Sequence, residues 1–501
     1  MRLLSRPTRP RIRERVLHRA LAPSHPLAAR VAMGGIAGIY LVAFVSLAVQ
    51  VLPLLGAHGL SPIADAVAIG SRLDGFVESP SLLWIPGFAD DNALITLGLA
   101  GIALSVLALA LVAIEIRHPR VRMAQGPVFF TLWLLYLSFV QLGDRWYGYG
   151  WETLLLEAGM LTTILALTRT ELVLWLYRWL TFRLMFGAGL IKVRGDECWR
   201  DLTCLRYHFE TQPIPNPLSW YLDHLPHAIL DFGVGWNHFV ELIVPWGLFH
   251  PRTRRWSAWI IVHFQAMLIL SGNLAFLNWL TLAICLPIAF HTPRAHDPVP
   301  SPADISKVTS SVFIRRGMAI GYAGLVAALS VAPTVNLFSP GQRMNASFDR
   351  LHLVNTYGAF GTVGKTRDEI ILEGYDGHDW KAWDFPFKPG DPMRRPPIIA
   401  PFQPRLDWQI WFAAMESPRQ NLWLVHLLYQ LLEGQASAKS LLANDPFPDA
   451  PPQRVRADLY RYRFTAPGEP GWWHRDRLGA YLPAFDLSDP GLQQLAQQEG
   501  W

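Results

Sequence analysis

The peptide Phe186-Gly187-Ala188-Gly189-Leu190-Ile191-Lys192 closes a long apolar run and leaves one lysine at its end. Its three small residues allow another helix to approach closely. Two chemistries suit Lys192. Its stem can lie along apolar surface while the ammonium reaches the interface. Alternatively the amine, partly stripped of water, can serve as a base. A second run, 228–250, carries Asp231, Asn237, His238 and Glu241. At helical spacing Asp231, His238 and Glu241 share one arc of roughly 80°. Glu157, Arg178, Arg183 and His263 interrupt other apolar runs. A carboxylate in such a place is costly unless it is paired or faces water. Arg183 is therefore expected to pair with Glu157 or with Glu241. Such pairs serve either as locks between helices or as the wall of a polar cavity that binds or transforms a substrate.

Between the two runs lies a loop, 194–220, dense in functional groups. It contains Cys198, Trp199, Cys204, His208 and Glu210, and it ends in Pro213, Pro215 and Pro217. On an oxidising side of a membrane Cys198 and Cys204 can form a small disulfide. Metal binding by these cysteines with His208 lacks the usual CxxC or HxxxH spacing, so no metal site is expected. Gly364-Lys365-Thr366 resembles the end of a phosphate loop, but that motif needs glycine at 359, which is Ala359. No GxSxG nucleophile elbow occurs.

The elements that would position these groups are mostly long apolar runs. The clearest are 31–55, 93–114, 171–191, 274–290 and 317–335; weaker ones are 128–142, 153–167, 228–250 and 256–270. About nine crossings follow, each near the length that spans ~30 Å of hydrocarbon. The composition agrees: 51% of the residues are hydrophobic and 17% are charged, too few to coat a soluble protein of this size. Residues 1–30 hold eight arginines against the single acid Glu14. They read as a basic cytoplasmic leader rather than a nucleic-acid arm or a cleaved signal. Loop 56–92 is acidic, whereas 115–127, 251–255 and 291–316 gather Arg and Lys. Nine alternating crossings would leave the tail outside. The net charge of +5 is thereby explained by inside loops, and no nucleic acid is expected.

Beyond 335 the chain is richer in Pro and charge. Glu369–Glu373 and Arg456–Phe464 read as strands, and 406–415 and 421–433 as helices. The expected organisation is a leader (1–30), a polytopic α-helical membrane domain (31–335) and an extracytoplasmic α+β, β-rich domain with two helices (336–501).

Several peptides resemble the lipase maturation factors. These include Gly150-Trp151-Glu152-Thr153-Leu154-Leu155-Leu156-Glu157, Phe182-Arg183-Leu184-Met185-Phe186-Gly187 and Cys198-Trp199-Arg200-Asp201-Leu202-Thr203-Cys204. Asn237-His238-Phe239-Val240-Glu241, Val354-Asn355-Thr356-Tyr357-Gly358 and Pro404-Arg405-Leu406-Asp407-Trp408-Gln409 continue the likeness, which runs from about 125 to about 465. The resemblance implies a membrane factor that assists folding or assembly of exported proteins. The eukaryotic members reside in the endoplasmic reticulum and present their carboxy-terminal domain to secreted lipases in the lumen. The Arg, Ala, Leu and Pro bias looks bacterial, which would put the tail in the periplasm. A fainter resemblance links Ala188-Gly189-Leu190-Ile191-Lys192 to the lysine segment of vitamin K-dependent gamma-glutamyl carboxylases. It implies the alternative of a membrane enzyme acting on a lipid, a quinone or an exported protein, with Lys192, His238 and Glu241 as its site. The expected partners are the bilayer and an exported client, with a lipase as the candidate. No cofactor is expected.

Overall fold

Apolar runs with helix-forming composition satisfy their backbone internally, as a bilayer requires. In the computed structural model, which describes residues 20–69, 72–291 and 310–501, every one of the nine runs contains helix. The first part of the basic leader and most of loop 291–316 lie outside the described residues. The helices are α1 (Pro26–Ala48), α2 (Asp91–Ile114), α3 (Arg122–Leu142), α4 (Gly150–Thr168), α5 (Glu171–Arg194), α6 (His227–His238), α7 (Arg254–Ser271), α8 (Leu277–Ala289), α9 (Ser310–Leu329) and α10 (Val331–Phe338). Five stretches are long and apolar enough to cross a membrane: Pro26–Ala48, Asp91–Ile114, Pro119–Leu142, Gly150–Thr168 and Val312–Phe338. The protein therefore has a helical transmembrane domain.

The other runs depart from simple spans for visible reasons. Run 31–55 divides into α1 and a short helix, Val51–Leu55. Run 228–250 divides into α6, a π-helical turn Phe239–Ile243 and a 3₁₀ stretch Val244–Phe249 holding Pro245 and Gly247. Proline there removes an amide donor and blocks the preceding turn. Helix α5 has 24 residues but carries Arg178, Arg183 and Lys192 among its buried positions. Helix α8, with 13 residues, is shorter than the ~20 that span hydrocarbon.

Local signals set the helix ends and faces. The Asp90 carboxylate caps α2 by accepting from Ala93 N at 2.8 Å. The buried stripe of α2 is Leu94, Gly98, Gly101, Ser105 and Ala108. Small residues at this spacing bring α2 onto α1, and a Cβ at Gly101 would collide with the Phe44 ring. The opposite face exposes Leu99, Val106 and Leu107, as suits a surface against lipid.

The tail folds around one antiparallel sheet of β1 (Arg367–Tyr375), β2 (Trp380–Trp383), β3 (Arg454–Phe464) and β4 (Trp473–Phe485), in the order β2-β1-β3-β4. Ile370 pairs with Leu459 and Leu372 with Ala457. Ile370, Leu372, Val455 and Ala457 are buried on one face. Helices α11 (Arg405–Ala413) and α12 (Leu422–Leu432) lie against the sheet, and α13 (Pro490–Glu499) follows β4. Leu424, Leu427, Leu428 and Leu431 form the apolar stripe of α12. One apolar core runs without a break from α1 to the sheet.

Candidate functional site

The last turn of α5 meets the π-helical turn after α6. Lys192 Nζ donates to Glu241 Oε1 at 2.6 Å and to Asn237 Oδ1 at 3.1 Å. Asn237 Nδ2 in turn donates to Glu241 Oε2 at 3.0 Å. The ammonium also lies 5.1 Å from the centre of the Trp199 ring. All three hydrogen-bonded side chains are buried. The small residues of α5 permit this approach: a Cβ on Gly189 would come to 2.6 Å from Leu242 Cδ2 and 3.0 Å from Glu241 Cβ.

Trp199 is the hub of the group. His238 Nε2 contacts its carbonyl at 2.9 Å, while the buried His238 Nδ1 meets no partner among the described residues. Trp199 Nε1 donates to Phe360 O of the tail at 2.8 Å. Cys198 and Cys204 are bonded to each other, with Cα atoms 4.7 Å apart, so the peptide bearing Trp199 is closed into a small ring. Asp231 lies outside the group. It makes a two-pronged pair with Arg206 at 2.9 and 2.6 Å, partly open to solvent. The α-helical arc holds only as far as His238; the π turn then swings Glu241 towards Lys192.

Arg183 pairs with Glu157 across α5 and α4, and both are buried. The tail completes this pair. Asn355 N and Tyr357 Oη donate to Glu157 Oε2 at 3.0 and 2.7 Å, and Arg183 donates to Asn355 O. A Cβ on Gly187 would sit 2.6 Å from Tyr357 O, so the tail backbone presses directly on α5.

Two further buried networks join membrane helices or their loops to the tail, and sequence reasoning did not single them out. Arg405 of α11 donates to Glu152 of α4 at 2.9 Å and to the Trp146 carbonyl, with its guanidinium 3.6 Å from the Tyr147 ring centre. Arg367 of β1 pairs with Glu369 and donates to the carbonyls of Glu210, Gln212 and Pro213 in the loop before α6. Lys388 completes this second set, donating to Glu369 Oε2 at 2.8 Å. Glu152, Asn355, Tyr357 and Arg405 all lie in the peptides that carry the family likeness. For Arg367 and Glu369 the readable signal is charge at strand positions that share a face with buried neighbours.

Outside the spans, burial sets the titration behaviour. It pushes His208 down to about 4, with the Lys192 charge acting in the same direction. It raises Asp407 to about 6 against the amides of Lys388 and Phe387, which bond its carboxylate. Asp223 is raised to about 7 by burial and then by Glu210.

These networks act chemically as joints. Lys192 is enclosed, with two hydrogen bonds and the Trp199 ring around its ammonium. A cavity of about 470 Å³ lies elsewhere, between residues 57–66, α12 and Trp501, and is lined by neither Lys192 nor Glu241. Among the described residues no group of three His, Cys, Asp or Glu side chains could hold a metal ion.

The fold thus defines an integral-membrane protein whose extramembrane domain is welded to its helices through buried charge. Family models agree with both parts: the lipase maturation factor transmembrane domain matches residues 27–291, and the lipase maturation factor C-terminal domain matches 353–483. Lipase maturation factor 1 of Homo sapiens is 39% identical, over 94% of this chain and 89% of its own length. Lipase maturation factor 1 of Mus musculus is 38% identical, and lipase maturation factor 2 of Rattus norvegicus is 30% identical over 93% of this chain and 84% of its own. The chain belongs to the lipase maturation factor family. No solved structure matches it.

Proposed function

We propose that this protein is a membrane maturation factor that supports an exported lipase during folding or assembly, offering its tail domain as the client-facing platform. The observation that carries this reading is likeness to lipase maturation factor 1 along nearly the whole of both chains. The joints add a physical reason: a platform fixed to the bilayer-spanning helices can hold a client without folding energy being lost to its own motion.

In this reading the chain divides at 1–30, 31–335 and 336–501, crosses the membrane about nine times and keeps its basic leader inside. The bonded Cys198–Cys204 pair supports an outside tail, because its ring touches Phe360 and Val363 and such bonds persist in oxidising compartments. The outer compartment is the periplasm in a bacterium and the endoplasmic reticulum lumen in a eukaryote; the Arg, Ala, Leu and Pro bias favours the bacterial inner membrane.

The test is the specific activity of an exported lipase from the same cell, measured per mass of lipase with and without this protein. Loss of specific activity at unchanged lipase mass is expected. Unchanged specific activity for every exported lipase would overturn the client assignment.

A second reading, an enzyme with Lys192 as base, is favoured by one observation: Lys192 and His238 both meet Trp199, and Glu241 bonds Lys192. The double variant Lys192→Met/Glu241→Leu removes the amine and its partner together. A maturation factor keeps its effect on the lipase in this variant at normal abundance; an enzyme loses it.

A further inference from the structure

Helix α5 ends in the Lys192 joint beneath the tail, so its first turns lie at the remote end of the membrane domain. With 24 residues it spans about 36 Å. Arg178 sits about 10 Å from that remote end. It shares a stripe with Thr181, which touches Cys285 of α8, and Met185, which touches Gln265 of α7. Arg178 therefore faces the cleft between α7 and α8.

The side chain is 8% exposed, yet among the described residues nothing hydrogen-bonds its guanidinium, and its Nε is buried without a partner. The neighbouring charges are Arg254, at the first turn of α7, and Glu171. Arg254 is also 8% exposed. One of its terminal nitrogens contacts His291 Nδ1 at 2.6 Å, and its Nε too lacks a partner. The Glu171 carboxylate is already engaged by His291 Nε2 at 2.6 Å and by the His25 amide at 2.8 Å. Among the described residues, these two largely buried side chains thus face one carboxylate, whose oxygens are already engaged by His291 and the His25 amide. By contrast Arg183, Arg367 and Arg405, the other deeply buried arginines, each meet a carboxylate directly. Among the described residues, a fold that pairs those three leaves a positive charge uncompensated here, and a buried charge needs a counter-charge.

We infer that this cleft binds the phosphate of an anionic lipid headgroup through Arg178 and Arg254. The planar guanidinium fork matches a phosphate oxyanion, and one phosphodiester charge cancels the excess. The setting is that of a membrane interface. Trp175 of α5 and Trp256 of α7 are exposed at this end, as interfacial tryptophans are. Arg252 and Arg255, also exposed, extend a basic rim that draws anionic lipid.

The test uses the full-length protein in a neutral detergent, with thermal melting and native mass spectrometry as readouts. The probes are phosphatidylglycerol, phosphatidylcholine and inorganic phosphate. Phosphatidylglycerol is expected to raise Tm and to remain bound as a discrete adduct, while phosphatidylcholine does so at least ten-fold more weakly. R178M is expected to melt no lower than the parent without lipid, because it removes a buried unpaired charge, and to lose the lipid-dependent rise. R254M keeps Arg178 and is expected to weaken the adduct about ten-fold. An equal rise with inorganic phosphate alone would overturn the lipid as its source. No rise with any probe, a rise retained in both variants, or a lipid-free R178M that melts well below the parent would overturn the site.

Discussion

Glu157→Gln removes one charge from a crowded buried network. The carboxylate accepts from Arg183, from the amide and side chain of Asn355 and from the Tyr357 hydroxyl. A glutamine offers one acceptor oxygen and one donor nitrogen in the same space. If the oxygen faces Asn355 and Tyr357, the new amide meets the Arg183 guanidinium donor to donor. If it faces Arg183, three tail donors lose this acceptor. Breaking one side of a buried pair costs about 3–5 kcal/mol. Removing both charges in Glu157→Met/Arg183→Met spares the lone buried charge but leaves Asn355 N, Asn355 O and the Tyr357 hydroxyl without these partners, at about 1–3 kcal/mol for each. The double variant should therefore remain well below the parent in stability. Equilibrium unfolding in mixed micelles, followed by fluorescence of the 21 tryptophans, measures both. A Glu157→Gln cost below about 1 kcal/mol, the size of an ordinary substitution, or a double variant as stable as the parent, would refute the reasoning.

Other outcomes follow from the same geometry. His208 is held down at about 4, so the unfolded chain takes the proton first. The stability it contributes is complete above about pH 6.5, declines as pH falls towards 4, and totals about 3 kcal/mol; His208→Leu should flatten that part of the stability–pH curve, and an unaltered slope would count against it. Gly187→Ala should cost about 1–3 kcal/mol by overpacking against Tyr357 O, whereas Gly38→Ala, with open space around it, should be neutral or gain up to about 1 kcal/mol of helix propensity; equal effects would contradict the packing account. Thiol alkylation of the denatured, unreduced protein should label Cys285 alone and, after reduction, all three cysteines. Labelling at Cys198 or Cys204 before reduction would show the ring to be open.

The membrane helices were legible because each had to be written as an apolar run long enough to close its own hydrogen bonds. Pairing was only half legible. Arg183 had two candidate carboxylates, Glu157 and Glu241, and the choice depends on Lys192 taking the second, which periodicity along one helix does not encode. Asp231 looked like part of the same group because an ideal α-helix was assumed through 231–241. The π turn at Phe239–Ile243 invalidates that phase, and Asp231 pairs with Arg206 instead. In the tail, β1 stands out through its Ile370-Ile371-Leu372 run and β3 through the alternation of charged with apolar and aromatic residues, whereas β4 is broken by register shifts and Gly479 and carries few buried side chains to mark its inner face. Glu152 and Arg405 were present in recognisable peptides, but a pair separated by 253 residues leaves no local trace.

That separation gives the chain a timetable. Glu152 enters the third position of α4 early in synthesis, and the cation that answers it is encoded 253 residues later. At about 5–20 residues per second the ribosome needs on the order of 10–50 s to reach it. During that interval Glu152 has no arginine and Glu157 lacks the Asn355 and Tyr357 donors. The transmembrane domain is then a provisional assembly that water or a proton must hold in place. Its final form arrives only when residues 355–405 emerge and dock. A nascent or shortened chain without them displays unanswered charge at the membrane surface, a local mark by which incomplete copies differ from finished ones.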